Sequence, residues 1–133
     1  MEPSKANFAL ANAELAVMEQ LWGTDRLTAK QLQERLYPDA QRSQHGTVQR
    51  LLQRLEEKGL ARRDRSLPVH YFEATISREA YAGGQLETLT RRLTSGSIAP
   101  LISHLVENGR IDSGELQRLR SILDAAPNPE EEA

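Results

Sequence analysis

Polar side chains that face one way along a single helix are the chemistry this sequence offers. In Thr47-Val48-Gln49-Arg50-Leu51-Leu52-Gln53-Arg54-Leu55, projection at about 100° per residue sets Arg50 and Gln53, with Gly46 and Glu57, opposite the valine and leucines. Thr47, Gln49 and Arg54 flank that outward side. An arginine fork fits the O6/N7 edge of guanine and equally neutralises a phosphate, while a glutamine amide fits the N6/N7 edge of adenine. Gln49 is placed for an adjacent base edge or for the sugar-phosphate backbone. Thr47 can donate its hydroxyl to DNA or bond locally at the helix start. Arg54 reads as a phosphate contact or a surface salt bridge. Gln44 and His45 stand at the helix entrance, with His45 in reach of a phosphate. Lys58, Arg62, Arg63 and Arg65 carry positive charge onward to a loop that can follow a nucleic-acid backbone or enter a minor groove.

Other chemistries lack their parts. The chain has no cysteine and three histidines, His45, His70 and His104, and no compact carboxylate cluster, so neither a metal nor another cofactor is expected. No serine sits in a nucleophile elbow, and neither a phosphate-binding glycine loop nor a dinucleotide fingerprint occurs, so no catalytic residue is assigned. Trp22 and Phe72 are read as core residues rather than stacking platforms.

Charge is distributed to match. Over 133 residues, 17 basic and 19 acidic side chains give a formal net charge of -2. Residues 1–40 hold four basic and six acidic side chains, residues 41–65 seven and three, and residues 66–133 six and ten. One short segment is therefore basic within an acidic chain, a local field that attracts phosphate or serves as a solvated helix face. No apolar run reaches the roughly 20 residues that cross a bilayer, and no secretory leader is read at the N-terminus. Cytoplasmic residence without membrane insertion is the expectation.

The elements that must position these side chains follow from periodicity. A first helix is predicted from Asn12, as its cap, to about Leu21, with Leu15, Met18 and Trp22 as core candidates. Thr28 and Gln31 have capping-box spacing, and Leu27 and Leu32 form a hydrophobic staple, so a second helix runs to the Pro38-Asp39 turn. The third begins near Ser43 or Gln44, buries Val48, Leu51, Leu52 and Leu55, and stops at Gly59, with Leu60 packing back on its end. Leu60–Arg63 and Val69–Phe72 are expected to pair as a β-ribbon around an Asp64–Pro68 loop. Three helices and a ribbon spell a winged helix-turn-helix domain over residues 8–75, preceded by a mobile lead-in at residues 1–9.

From Ser77 the period is helical again. Ala82, Leu86, Leu89 and Leu93 share one seam. Pro100 opens a helix with Leu101, Ile102, Leu105 and Val106, which Asn108-Gly109 ends. Asp112 and Glu115 cap a final helix with Leu116, Leu119, Ile122 and Leu123. Faces too apolar for so small a unit point to a helical dimerisation domain over residues 77–124, before a flexible acidic tail. The fold class is mainly α with a small antiparallel β wing.

Ala13-Glu14-Leu15-Ala16-Val17-Met18-Glu19-Gln20-Leu21-Trp22, Thr28-Ala29, the stretch from Thr47 to Leu60, and Glu115 through Leu123 together resemble the BlaI/MecI family of bacterial repressors. The resemblance spans nearly the whole chain. It implies a homodimeric transcriptional repressor on double-stranded operator DNA, with winged domains on two halves of a palindrome and C-terminal helices holding the dimer. It also implies an upstream membrane sensor protease that triggers cleavage in the C-terminal region. This sequence departs from that pattern in several places. Gln44-His45-Gly46-Thr47 replaces a Ser-Pro-Thr-Thr entrance, Gln49-Arg50 an arginine-threonine pair, Ala74 a proline, and His104-Leu105 the Asn-Phe pair at the cleavage region. The cysteine pattern of copper-responsive relatives is missing. The competing reading is a non-enzymatic protein-interaction adaptor that keeps the winged-helix packing and turns the third helix toward an acidic protein.

Overall fold

A computed structural model describes residues 8–39 and 44–127. The acidic end beyond residue 127, residues 1–7 of the expected lead-in, and Ser43 lie outside the described residues. Phe8 does not: it packs against the core, and its carbonyl accepts the Tyr81 hydroxyl at 2.8 Å and the Gln85 amide at 3.1 Å. The lead-in therefore ends earlier than its composition suggested.

The chain divides into two compact units, Met1–Leu89 and Thr90–Ala133. The first holds α1 (Asn12–Trp22), β1 (Leu27–Thr28), α2 (Ala29–Leu36), α3 (His45–Glu57), β2 (Ala61–Asp64), β3 (Tyr71–Ala74) and the opening turns of α4 (Arg78–Thr94). The division falls inside α4, further along the chain than the expected residue 76, because Tyr81 is drawn into the first core. It is 8% exposed, its ring lies 5.9 Å from that of Trp22, and its hydroxyl also accepts the Leu10 N–H at 3.2 Å.

Local chemistry sets the ends of these helices. Thr28 accepts the Gln31 N–H at 3.1 Å while the Gln31 side chain accepts the Thr28 N–H at 2.9 Å, the reciprocal box read from the sequence. The start of α1 differs from expectation. Ala11, not Asn12, is the capping position, and the Glu14 carboxylate reaches back to accept the Ala11 N–H at 3.0 Å. At the far end of α3, Gly59 takes φ +77°. The Gly59 N–H then bonds the Glu56 carbonyl at 3.0 Å and the Leu60 N–H bonds the Leu55 carbonyl at 2.9 Å, a Schellman closure.

That closure moves the ribbon. Leu60 is fully buried against the helix end and is not a strand residue, so β2 starts at Ala61, and β3 starts at Tyr71 rather than Val69. The register pairs Ala61 with Ala74, Arg62 with Glu73, Arg63 with Phe72 and Asp64 with Tyr71. Phe72 points into the core and Val69 into solvent. Leu27 and Thr28 pair antiparallel with Phe72 and Tyr71, giving a three-stranded sheet in the order β1-β3-β2. The two-residue β1 is too short to carry any periodicity of its own. One core results: Val17, Met18 and Leu21 of α1, Leu32 of α2, the α3 stripe, Leu60 and Phe72.

The second unit contains the end of α4, α5 (Ala99–Glu107) and α6 (Ser113–Ala125). Gly109, at φ +66°, closes α5, and Asp112 caps α6 by accepting the Glu115 N–H at 2.8 Å. No residue of α5 or α6 is buried.

One buried ion pair ties α1 to the end of α3. Glu14 is 4% exposed, and its Oε2 accepts the Lys58 ammonium at 2.8 Å. Burial pushes the Glu14 carboxyl up, but the Lys58 hydrogen bond, the Ala11 N–H and the Lys58 and Arg54 charges outweigh it and hold the group below its ordinary value of 4.5. A depressed folded value gives stability that is present above the unfolded value and lost as pH falls through the folded one. Glu14→Gln should therefore lower stability at pH 7 by about 2 kcal/mol. Denaturant titrations should show that deficit narrowing below about pH 4.5. A pH-independent deficit would contradict the assignment.

Candidate nucleic-acid interface

The α3 stripe of Val48, Leu51, Leu52 and Leu55 is at most 6% exposed, which fixes the roll of the helix. His45, Arg50, Gln53, Arg54 and Glu57 are consequently exposed, and Gln44, Thr47 and Gln49 are half-buried beside them. The Gln53 amide donates to Glu57 at 3.3 Å, one helical turn on. Arg50 has no hydrogen-bond or ion-pair partner among the described residues. Arg54 contributes a favourable charge to buried Glu14 from one turn before Lys58.

The remaining cations expected at this surface are placed differently from one another. Lys58, half-buried, points back to the buried Glu14, so it orients the helix rather than extending its outer face. Arg62 pairs with Glu73 directly across the ribbon. Arg63 lies with its guanidinium 4.7 Å from the centre of the Phe72 ring and its Nε 3.8 Å from Glu56, and that Nε is buried without a hydrogen bond among the described residues. Arg65 donates to Glu56 at 3.3 Å. Beyond it the Ser66 N–H bonds Asp64 at 2.9 Å and turns the loop. The hydroxyl and N–H of Ser66, with the charges of Arg26 and Arg62, hold the Asp64 carboxyl below its ordinary range. Arg26 spans the ring of Tyr71 at 4.1 Å and reaches Asp64 at 3.7 Å.

A depression of about 360 Å³ joins the start of α2 to the wing, lined by Thr28, Lys30, Gln49, Arg63 and His70 among others. It brings Gln49 and Arg63 together and adds Lys30 and His70, which sequence reasoning did not place at a site. Their signal was indirect. Lys30 follows the capping threonine and so stands in the first turn of α2, whose N–H groups and positive dipole end favour anions. His70 precedes the strand residue that pairs with Thr28.

The side chains expected at a dimer interface are uncovered to different degrees. Ala82, Leu86 and Leu89 are exposed on the part of α4 within the first unit. Leu93, Leu105, Ile122 and Leu123 are exposed in the second, while Leu101, Leu116 and Leu119 are half-buried there. Ile122 and Leu123 stand at 64% and 71% exposure. Among the described residues, no three His, Cys, Asp or Glu side chains gather to hold a metal ion, and no helix is long and apolar enough to cross a membrane.

The profile of the penicillinase repressor family matches residues 10–125. The transcriptional regulator BlaI of Mycobacterium tuberculosis (strain ATCC 25618 / H37Rv) is 34% identical over 117 residues, covering 86% of this chain and 82% of that protein. The penicillinase repressor of Bacillus licheniformis is 23% identical over 123 residues, covering 92% and 95% respectively.

The geometry separates outer from inner cations by stability alone. Arg50→Ala, at an exposed and unpartnered position, should change unfolding free energy by less than about 0.5 kcal/mol. Lys58→Ala, which strands the Glu14 carboxylate, should cost about 2 kcal/mol. Paired urea melts decide it, and equal effects would refute the division.

Proposed function

This chain belongs to the penicillinase repressor family, whose members are DNA-binding transcriptional repressors rather than enzymes, and from that premise we propose that two copies bind a palindromic promoter operator and repress transcription by occupying it. In this reading α3 enters the major groove with Arg50 and Gln53 toward base edges, and Thr47, Gln49 and Arg54 border the backbone. The wing, through Arg62, Arg63 and Arg65, follows the flanking phosphates. Lys30 and the first turn of α2 contribute a further phosphate contact. Acting on operator DNA makes the cytoplasm its compartment.

The observation that carries the reading is the outward face of α3. Its arginine at position 50 is exposed and has no partner among the described residues, while the opposite stripe is sealed in the core. An uncommitted guanidinium at the centre of a rigid helix is what direct base readout requires.

Self-association is proposed for the helices beyond the winged domain. The exposed Leu93, Leu105, Ile122 and Leu123 support it, because a second copy would remove them from water. A symmetric dimer would set two reading helices about one DNA turn, roughly 34 Å, apart or at a multiple of that distance. Two weak contacts thereby become one avid event. Control by a sensor protease is not carried into this reading, because His104-Leu105 replaces the Asn-Phe pair that the resemblance places at the cleavage region.

Genomic footprinting of the native chain beside Arg50→Ala and Gln53→Ala variants tests the proposal. The expected result is protection of two spaced half-sites, weakened roughly 10- to 100-fold by Arg50→Ala with the dimer intact. A stable dimer that protects no specific DNA, with affinity insensitive to salt, would falsify it and favour the adaptor reading. Removing the second unit, from residue 90 onward, should abolish the dimer while Tyr81 stays in the first core, and its persistence would relocate the interface.

A further inference from the structure

Five of the cations around the reading surface are already engaged with carboxylates of their own chain: Lys58 with Glu14, Arg62 with Glu73, Arg26 with Asp64, and both Arg63 and Arg65 with Glu56. Glu56 differs from the other three acids in what it joins. It stands in the last turn of α3, where its carbonyl takes part in the Schellman closure, and its side chain reaches forward to the ribbon, where its two oxygens face two arginines: Oε2 at 3.3 Å from Arg65 and Oε1 at 3.8 Å from the Nε of Arg63. Its side chain is only 29% exposed. The bonds it makes are accordingly less screened than those of a fully solvated surface pair.

Arg63 is held in place for this role. Its guanidinium lies against the Phe72 ring, and its Nε is buried with no hydrogen bond among the described residues. Such an arginine is fixed in position and incompletely satisfied. A carboxylate and a phosphate present paired anionic oxygens to the same planar donors. A phosphate arriving at the wing therefore meets an Arg65 donor that Glu56 already holds and an Arg63 charge that Glu56 already offsets, and Glu56, once displaced, is left as a negative charge beside the DNA backbone.

We propose that Glu56 is an affinity-setting residue that competes with DNA phosphate for Arg63 and Arg65. The inference rests on the DNA-binding reading above and concerns what limits it. Glu56 makes the wing a weaker phosphate ligand than its three arginines imply and lowers the sequence-independent part of binding. The contacts of Arg50 and Gln53 to bases are untouched by it. Sequence-independent binding is almost entirely electrostatic, so its reduction limits the time the protein spends on irrelevant DNA.

The test is a charge-swap cycle read by fluorescence anisotropy on a short duplex of arbitrary sequence, at about 50 and about 200 mM salt. Glu56→Gln should bind roughly three- to fivefold tighter than the native chain at the lower salt, with the gain shrinking at the higher. Glu19→Gln makes the same change in net charge on α1, away from the wing arginines, and should give no comparable gain. In an Arg63→Gln/Arg65→Gln background, Glu56→Gln should give no gain at all, because the competed donors are gone. Unchanged or weaker binding by Glu56→Gln, or a gain that survives loss of both arginines, overturns the inference while leaving the DNA reading intact. A native chain with no affinity for any duplex overturns both. Matched thermal melts of Glu56→Gln and the native chain separate competition from wing disordering: a loosened wing weakens binding, the opposite sign.

Discussion

The insertion of Val48, Leu51, Leu52 and Leu55 beneath α1, α2 and the sheet is the constraint on which the rest of the first unit depends. A helix has one roll angle at which that stripe is dry, and burying four aliphatic side chains, each contributing about 1.5–3 kcal/mol, makes any other angle prohibitive. Every outward side chain inherits its direction from that one decision. The Glu14–Lys58 pair adds a second, directional restraint between α1 and the C-terminal end of the helix.

The parts of this fold that could be read from the sequence are those encoded within a few residues of each other. The Thr28/Gln31 box, the α3 stripe, the Gly59 stop and the Asp112 cap depend on neighbours within one helical turn, and each takes the form its spacing dictates. What could not be read depends on distant partners. Asn12 has the chemistry of a cap, yet α1 caps at Ala11, whose N–H one Glu14 oxygen accepts while Lys58, far along the chain, holds the other. Strand β1 exists only because Tyr71 and Phe72 offer it an edge. The ribbon begins late because Leu60 is claimed by the helix end, a competition between two local rules that only packing resolves.

The candidate site divides along the same line. Arg50, Gln53 and Arg54 were legible as outward-facing because helical projection needs only the period. The four cations that follow them were legible as charge but not as geometry. Counting positive residues between 41 and 65 could not separate Lys58, which faces the core, from Arg65, which faces the loop. It also could not reveal that Glu14, Glu56 and Glu73, from three different elements, converge on that charge. Lys30 and His70 escaped notice because neither lies on α3, and the depression that collects them is a product of β1 pairing with β3.

The left-handed Gly59 sits in the three-residue link, Lys58 to Leu60, between α3 and β2, and the two hydrogen bonds of its closure leave that link little slack. Rotation of the helix is therefore transmitted to the ribbon as through a short crank, so the two surfaces cannot be re-aimed separately. A lineage adapting to a new target could exchange side chains on either surface freely. It could not lengthen this junction by even one residue without swinging the ribbon to another azimuth. Diversification in such a scaffold is chemical rather than geometric, and variation in reach is left to the tip between Arg65 and His70.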